Sequence, residues 1–206
     1  MYTIALLQGK GGTGKTTTVI NLAGALVEQG YRVRVADLDP QRSALGWPAE
    51  GSALAGLVHG LGTDSAKQQF AEISAGADFV IIDTPPTLTT KEPMIAAALA
   101  DLLIVPSLAG AQEYQRADKT LTTVDVFEVP YRLLACQIDR RERIAQQARD
   151  TLAQRGPTFA TEVSKAVAMR EAIFTGQWIG EYAPESVCHR QFRALAKEVI
   201  EIAEPS

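Results

Sequence analysis

QGKGGTGKTT, residues 8–17, places four glycines and two lysines within ten positions. The spacing Gly9-x4-Gly14-Lys15-Thr16 is that of a phosphate-binding loop. Glycines let a backbone wrap tightly and aim successive N–H groups at one anion. Gly9, Gly11, Gly12, Thr13 and Gly14 supply that wrap. Lys15 is placed to reach the outer phosphates of a nucleotide, Thr16 to ligate Mg2+ through its hydroxyl, and Thr17 to donate to the innermost phosphate. Lys10 is a second lysine, and one loop needs only one.

The flanks of this loop set the fold. YTIALLQ (2–8) is an apolar run of strand length. KTTTVINLAGALVEQG (15–30) puts Val19, Leu22, Ala23, Leu26 and Val27 on one helical face, with Gly30 as a stop. A helix starting there turns its positive dipole end toward the same anion. Further strands are expected at 31–39 (YRVRVADLD), 78–86 (DFVIIDTPP), 101–107 (DLLIVPS) and 131–139 (YRLLACQID), with a weaker one at 156–163. Several are continuous apolar runs, the pattern of parallel strands covered on both faces. The spacing predicts helices over 64–75, 90–100, 112–127, 142–155 and 187–203. This alternation specifies a doubly wound α/β domain with a mostly parallel sheet, a single unit over residues 1–206. Ligands of such folds bind at the carboxyl ends of the strands. Residues 43–63, glycine-rich with one proline, read as a mobile connection.

A metal–phosphate centre needs carboxylates at neighbouring strand ends. Asp83 ends FVIID and suits an Mg2+ site through water. Asp37 and Asp39 end VRVADLD, where a carboxylate can orient an attacking water and take its proton. An isolated aspartate there also suits a helix cap or a turn. Two strand ends carrying acids downstream of a phosphate loop favour the metal reading.

Composition narrows the function further. The 206 residues carry a net charge of −4 and are 46% hydrophobic, so nucleic acid cannot be held by overall charge. Residues 1–138 hold ten basic and fourteen acidic side chains, and residues 139–206 hold ten of each. A basic face is therefore sought in the second part. Cys136 and Cys188 form no CxxC pair, which suits a reduced, cytoplasmic protein without a zinc or iron–sulfur motif. The first residues lack the basic region of a signal peptide, and no apolar stretch is long enough to span a membrane. His59 and His189 stand isolated, and Trp47 and Trp178 are expected to pack.

KGGTGKTT, DLDPQ and VIIDTPP, in that order, resemble the ParA family of partition ATPases, within the MinD/ParA group of deviant Walker A proteins. The likeness covers nearly the whole chain and extends to REAIFTGQWIGEYAPES (170–186) and RALAKEVIEI (193–202). It is to the small ParF-like type, without the N-terminal DNA-binding extension of larger members. The resemblance implies a slow, partner-stimulated ATPase that uses ATP and Mg2+. It implies a homodimer in the ATP state, with Lys10 crossing to the other subunit's phosphates. Lys15, Thr16 and Thr17 match the phosphate and Mg2+ residues, Asp39 the carboxylate of water activation, Asp37 its Mg2+-side neighbour and Asp83 the Walker-B residue. Pro106 matches a segment near the base and dimer interface, and Asp139 and Arg140 the region that reads adenine. There the usual Asn or Thr is replaced by Gln137-Ile138-Asp139-Arg140.

The resemblance further implies non-specific DNA binding, nucleoid association, a ParB-like or other small activator as partner, and no membrane attachment. Lys165, Arg170, Arg190, Arg193 and Lys197 are the candidates for DNA phosphates. Arg190, Arg193 and Lys197 share a helical face, where ion pairs with Glu185, Glu198 or Glu201 are the competing role. The expected function is segregation or positioning of DNA. The same ATPase type can instead position a protein cargo such as a carboxysome, chemotaxis or secretion cluster. A metabolic P-loop ligase or kinase would need an acceptor site, for which the sequence offers no further catalytic constellation.

Overall fold

The computed structural model describes residues 1–139, 141–142 and 147–204. In chain order the first part runs β1 (Tyr2–Leu6), α1 (Lys15–Glu28), β2 (Val33–Asp37), β3 (Val58–Gly60), α2 (Ala66–Ser74), β4 (Phe79–Asp83), α3 (Lys91–Leu99) and β5 (Leu102–Leu108). It continues with α4 (Ala111–Asp125), β6 (Tyr131–Ile138), α5 (Ala148–Ala153), β7 (Thr158–Ser164), α6 (Val167–Phe174), α7 (Ile179–Tyr182) and α8 (Val187–Ala203). The seven strands form one sheet in the order β3-β2-β4-β1-β5-β6-β7, and every pair is parallel. This is the doubly wound α/β fold expected from the alternation of elements.

Successive side chains of a strand point to opposite faces. Ile4, Leu6, Phe79, Ile81, Leu102 and Ile104 therefore enter one core, and Ala5, Leu7, Val80, Ile82, Leu103 and Val105 the other. The first core is covered by α1, α6 and α8, the second by α2 to α5. A strand apolar on both faces gains its burial only when both are covered, which forces a helix after nearly every strand.

The expected strands and long helices are present, α8 over the expected span. Within 142–155, helix among the described residues is confined to Ala148–Ala153. Two helices lay outside the pattern reading. α7 has four residues, too few to show a period, and α6 leaves Val167, Ile173 and Phe174 exposed, which blurs its apolar face.

The reading of 43–63 is corrected. Ala44, Trp47 and Leu54 are buried in the first core, and Val58–Gly60 is the edge strand β3. Trp47 Nε1 donates to the carbonyl of Gln177, and the Ala49 and Ala53 N–H groups donate to the Gly176 carbonyl and the Glu181 carboxylate. Apart from Trp47, these apolar anchors separated by glycines show no helical or strand period, so the burial of Ala44 and Leu54 was invisible in the pattern. Trp178, like Trp47, packs as expected: it lies against Gly24 of α1, where a Cβ would meet the indole at 2.2 Å.

Candidate nucleotide site

The loop between β1 and α1 lies at the carboxyl end of the sheet. Gly12 and Gly14 have φ of 74° and 97°, a region that side chains with a Cβ seldom enter. Gly14 caps α1, whose first turn carries no acidic residue of its own to face the helix dipole. Lys15 is 7% exposed, and its Nζ donates to the carbonyls of Gln8 (3.3 Å) and Lys10 (3.4 Å). Burial pushes its pKa down, against the attraction of Asp83 and Asp39. A buried ammonium held by two long carbonyl contacts is a poorly compensated cation, suited to an anion.

Asp37 and Asp83 are register partners across β2 and β4, which places the two acidic strand ends side by side. Thr16 Oγ1 donates to Asp83 Oδ2 at 2.7 Å, and the Thr84 N–H donates to Asp83 Oδ1 at 3.1 Å. Burial raises the Asp83 pKa to about 7, with Asp37 and Asp39 adding to the rise and Thr16 and Lys15 opposing it. A buried acid beside a hydroxyl, facing other acids, suits a divalent cation. Among the described residues no three acidic, histidine or cysteine side chains converge on one metal position. That donor set fits Mg2+, which binds through one or two protein groups with phosphate and water.

Asp39 accepts from the Gln41 N–H at 2.9 Å and borders a cleft of about 290 Å³ with Lys15, Thr16 and Thr17. Asp37 is fully buried, and its two oxygens accept the N–H groups of Asp39 (3.0 Å) and Leu45 (2.8 Å). It therefore fixes the loop that carries Asp39. Arg42, at φ 55°, reinforces that loop by donating to the carbonyls of Asp37 and Leu61.

Lys10 sits at the rim. Its Nζ forms an ion pair with Glu113 Oε1 of α4 at 2.8 Å. Behind the loop, Gln8 is buried: its Nε2 donates to the Pro106 carbonyl at 3.0 Å, and its Oε1 accepts from Thr120 at 2.6 Å.

A second cavity, of about 520 Å³, lies on the other side of the α1 N-terminus and shares Gly14 and Thr17 with the cleft. Its wall includes Cys136, Gln137, Lys165, Met169 and Arg170. Gln137, at φ 55°, donates from Nε2 to the Gly12 carbonyl at 2.7 Å, which ties the end of β6 to the loop. Burial pushes the Cys136 thiol up to about 12, so it remains a neutral wall.

The residues expected near the base are dispersed. Pro106 is buried within β5. The Asp139 carboxylate is paired with Arg141 at 2.7 Å, which holds its pKa down at about 2. Arg140 lies outside the described residues. Nor do the five basic candidates form one group. Lys165 and Arg170 line the second cavity, whereas Arg190, Arg193 and Lys197 lie along α8. Arg193 pairs with Glu28 of α1 at 3.3 Å, and Arg190 donates to the Glu185 carbonyl. Glu198 instead accepts the Ala160 and Thr161 N–H groups of β7, each at 2.8 Å. Sequence reasoning placed Gln137 in the region that reads adenine but missed Cys136 and Met169 as cavity walls, because neither carries a motif of its own. The turn after an apolar strand, facing the glycine loop across the sheet, was the usable signal.

A family model described as the CobQ/CobB/MinD/ParA nucleotide binding domain matches residues 4–178. The maintenance of carboxysome distribution protein A of Gloeobacter kilaueensis is 32% identical over 203 residues, covering 95% of this chain and 93% of that protein. The chromosome-partitioning ATPase Soj of Thermus thermophilus is 32% identical over 237 residues, covering 96% and 94%. Among solved structures, the septum site-determining protein MinD of Pyrococcus horikoshii, complexed with Mg-ADP, superposes with a TM-score of 0.73 at 22% identity, covering 98% and 97%.

Proposed function

The chain belongs to the CobQ/CobB/MinD/ParA nucleotide-binding family, and from that premise we propose that it is an ATP-dependent dimerising switch that hydrolyses ATP. One observation carries this reading. Lys15, the Thr16–Asp83 pair and Asp39 converge at the N-terminus of α1, with Lys10 on the rim beside them.

The loop N–H groups and Lys15 bind the triphosphate, and Thr16 and Asp83 hold Mg2+ with its waters. Asp39 orients the attacking water and takes its proton as the oxygen–phosphorus bond forms. The bond to the β-phosphate oxygen breaks, leaving ADP and phosphate. Asp37 keeps Asp39 in position. The second cavity takes the base, which assigns Lys165 and Arg170 to the nucleotide before DNA. Lys10 reaches the nucleotide of the other subunit, offsetting charge that would otherwise drive the two subunits apart. Dimerisation then follows the γ-phosphate.

The dimer binds DNA without sequence preference through Arg190, Arg193 and Lys197, and a small activator protein of ParB-like kind stimulates hydrolysis. The site of action is the cytoplasmic nucleoid, and the cargo is DNA. A protein cargo is the second reading, favoured by the likeness to a carboxysome-distribution protein over 95% of the chain. The gene next to this one separates the two: a small DNA-binding protein marks a partition cassette.

The test is sedimentation with ATP, with ADP and without nucleotide, alongside phosphate release. The expected result is a dimer with ATP only. Lys15→Ala removes nucleotide binding, whereas Lys10→Ala keeps it and loses the dimer. A dimer of normal strength in Lys10→Ala would refute the shared-site reading.

A further inference from the structure

The rim lysine already has an acidic partner in its own subunit. Lys10 Nζ and Glu113 Oε1 are 2.8 Å apart, with the lysine side chain 38% and the glutamate 18% exposed. Two features hold the pair in register. Gln8, two residues before Lys10, is bonded both to the Pro106 carbonyl and to Thr120 of α4, which joins the loop to the helix. Gly110, at φ 133°, makes the turn that sets Glu113 in the first turn of α4. A carboxylate there is favoured by the helix dipole.

We propose that Glu113 parks Lys10 in cis and restrains nucleotide-driven dimerisation. The proposal rests on the reading that Lys10 acts across the dimer. A lysine ammonium is a point charge on a flexible stem. Engaging phosphates of another subunit requires it to leave Glu113, so the two contacts exclude each other. The pair is partly exposed and weak enough to open, as a reversible restraint must be. While the pair is closed, Glu113 cancels the lysine charge, which is then not available to offset the phosphates of another subunit.

The experiment uses the whole chain with Mg2+ and a non-hydrolysable ATP analogue, with sedimentation followed across protein concentration. Glu113→Gln is expected to lower the concentration at half-dimer by roughly three- to tenfold, equivalent to about 0.6–1.4 kcal/mol. In the nucleotide-free protein the same variant is expected to raise the acylation rate of Lys10, mapped by mass spectrometry against exposed Lys197. Glu113→Ala serves as a second variant, and thermal melting confirms that each is folded. An unchanged or weaker dimer, or an unchanged Lys10 reactivity, would overturn the restraint. Lys10→Ala is measured in the same series. If it dimerises normally, the cross-subunit reading fails on its own account, whatever Glu113 does.

Discussion

Asp83 shows how one side chain can be set against its own charge. Its pKa is raised to about 7, chiefly by burial, so between about pH 4 and 7 the folded chain holds a proton that the unfolded chain releases. Stability from this group is therefore fully present below the unfolded carboxyl range and falls as pH rises toward 7. Asp83→Asn is expected to melt increasingly above the unmodified protein as pH goes from 5 to 8, while losing Mg2+-dependent nucleotide binding. Equal melting temperatures at both pH values would contradict the assignment. Binding of Mg2+ with nucleotide requires the ionised form and is expected to release a proton near pH 7. Calorimetry in buffers of different ionisation heat reads that proton directly. A second residue-scale prediction concerns Thr120. Thr120→Val removes the donor to buried Gln8 Oε1 and leaves that oxygen unsatisfied, at about 1–3 kcal/mol. Denaturant unfolding should show the loss, and nucleotide affinity should fall with it, because Gln8 also presents a carbonyl to Lys15.

Among elements, α1 is the one on which most depends. Its N-terminus faces the site, and its far end meets α8, where Glu28 accepts from His189 at 3.0 Å and pairs with Arg193. Between them, Asn21 is fully buried, donating to the Thr17 carbonyl and accepting the Ile179 N–H at 2.7 Å, which pins α7 to α1. Gly24 lies one turn on, beneath Trp178. A glycine-to-alanine change inside a helix ordinarily stabilises by up to about 1 kcal/mol. Here a Cβ would stand 2.2 Å from the indole, so Gly24→Ala is expected to destabilise by about 1–3 kcal/mol. The sign of the measured change decides between propensity and packing. Both helix and loop were legible beforehand, because glycine spacing and a 3.6-residue period are local. The need for Gly24 was not, since the indole that demands it comes from residue 178.

For the whole molecule, the charge balance constrains the proposed DNA binding. With a net charge of −4, binding must rest on a local patch and be sensitive to salt. Retardation of DNA is expected with ATP and not with ADP, and it should weaken steeply as salt rises. Arg190→Ala and Lys197→Ala should each reduce the salt slope by about 1 if the residue contacts a phosphate. Arg193 is already paired with Glu28, so Arg193→Ala should also cost some stability, whereas Lys197→Ala should not. No binding at low salt with ATP would remove DNA from the proposal and leave the protein-cargo reading.

The amino-acid order by itself determined the parallel α/β architecture and the phosphate loop with its lysine and threonine. It also marked the three aspartates as strand-end acids. Each of these is written in contiguous residues: an apolar run of strand length, a helical period, a glycine spacing. The tertiary structure decided what joins distant segments. Register across β2 and β4 brought Asp37 beside Asp83 and turned Asp37 into the holder of the Asp39 loop. The ends of β6 and β7, with α6, formed the second cavity and placed Lys165 and Arg170 in its wall. The turn into α4 set Glu113 against Lys10, 103 positions away in the chain. Periodicity reports which face of an element is buried, but not which other element buries it, and those pairings depend on how the sheet is ordered.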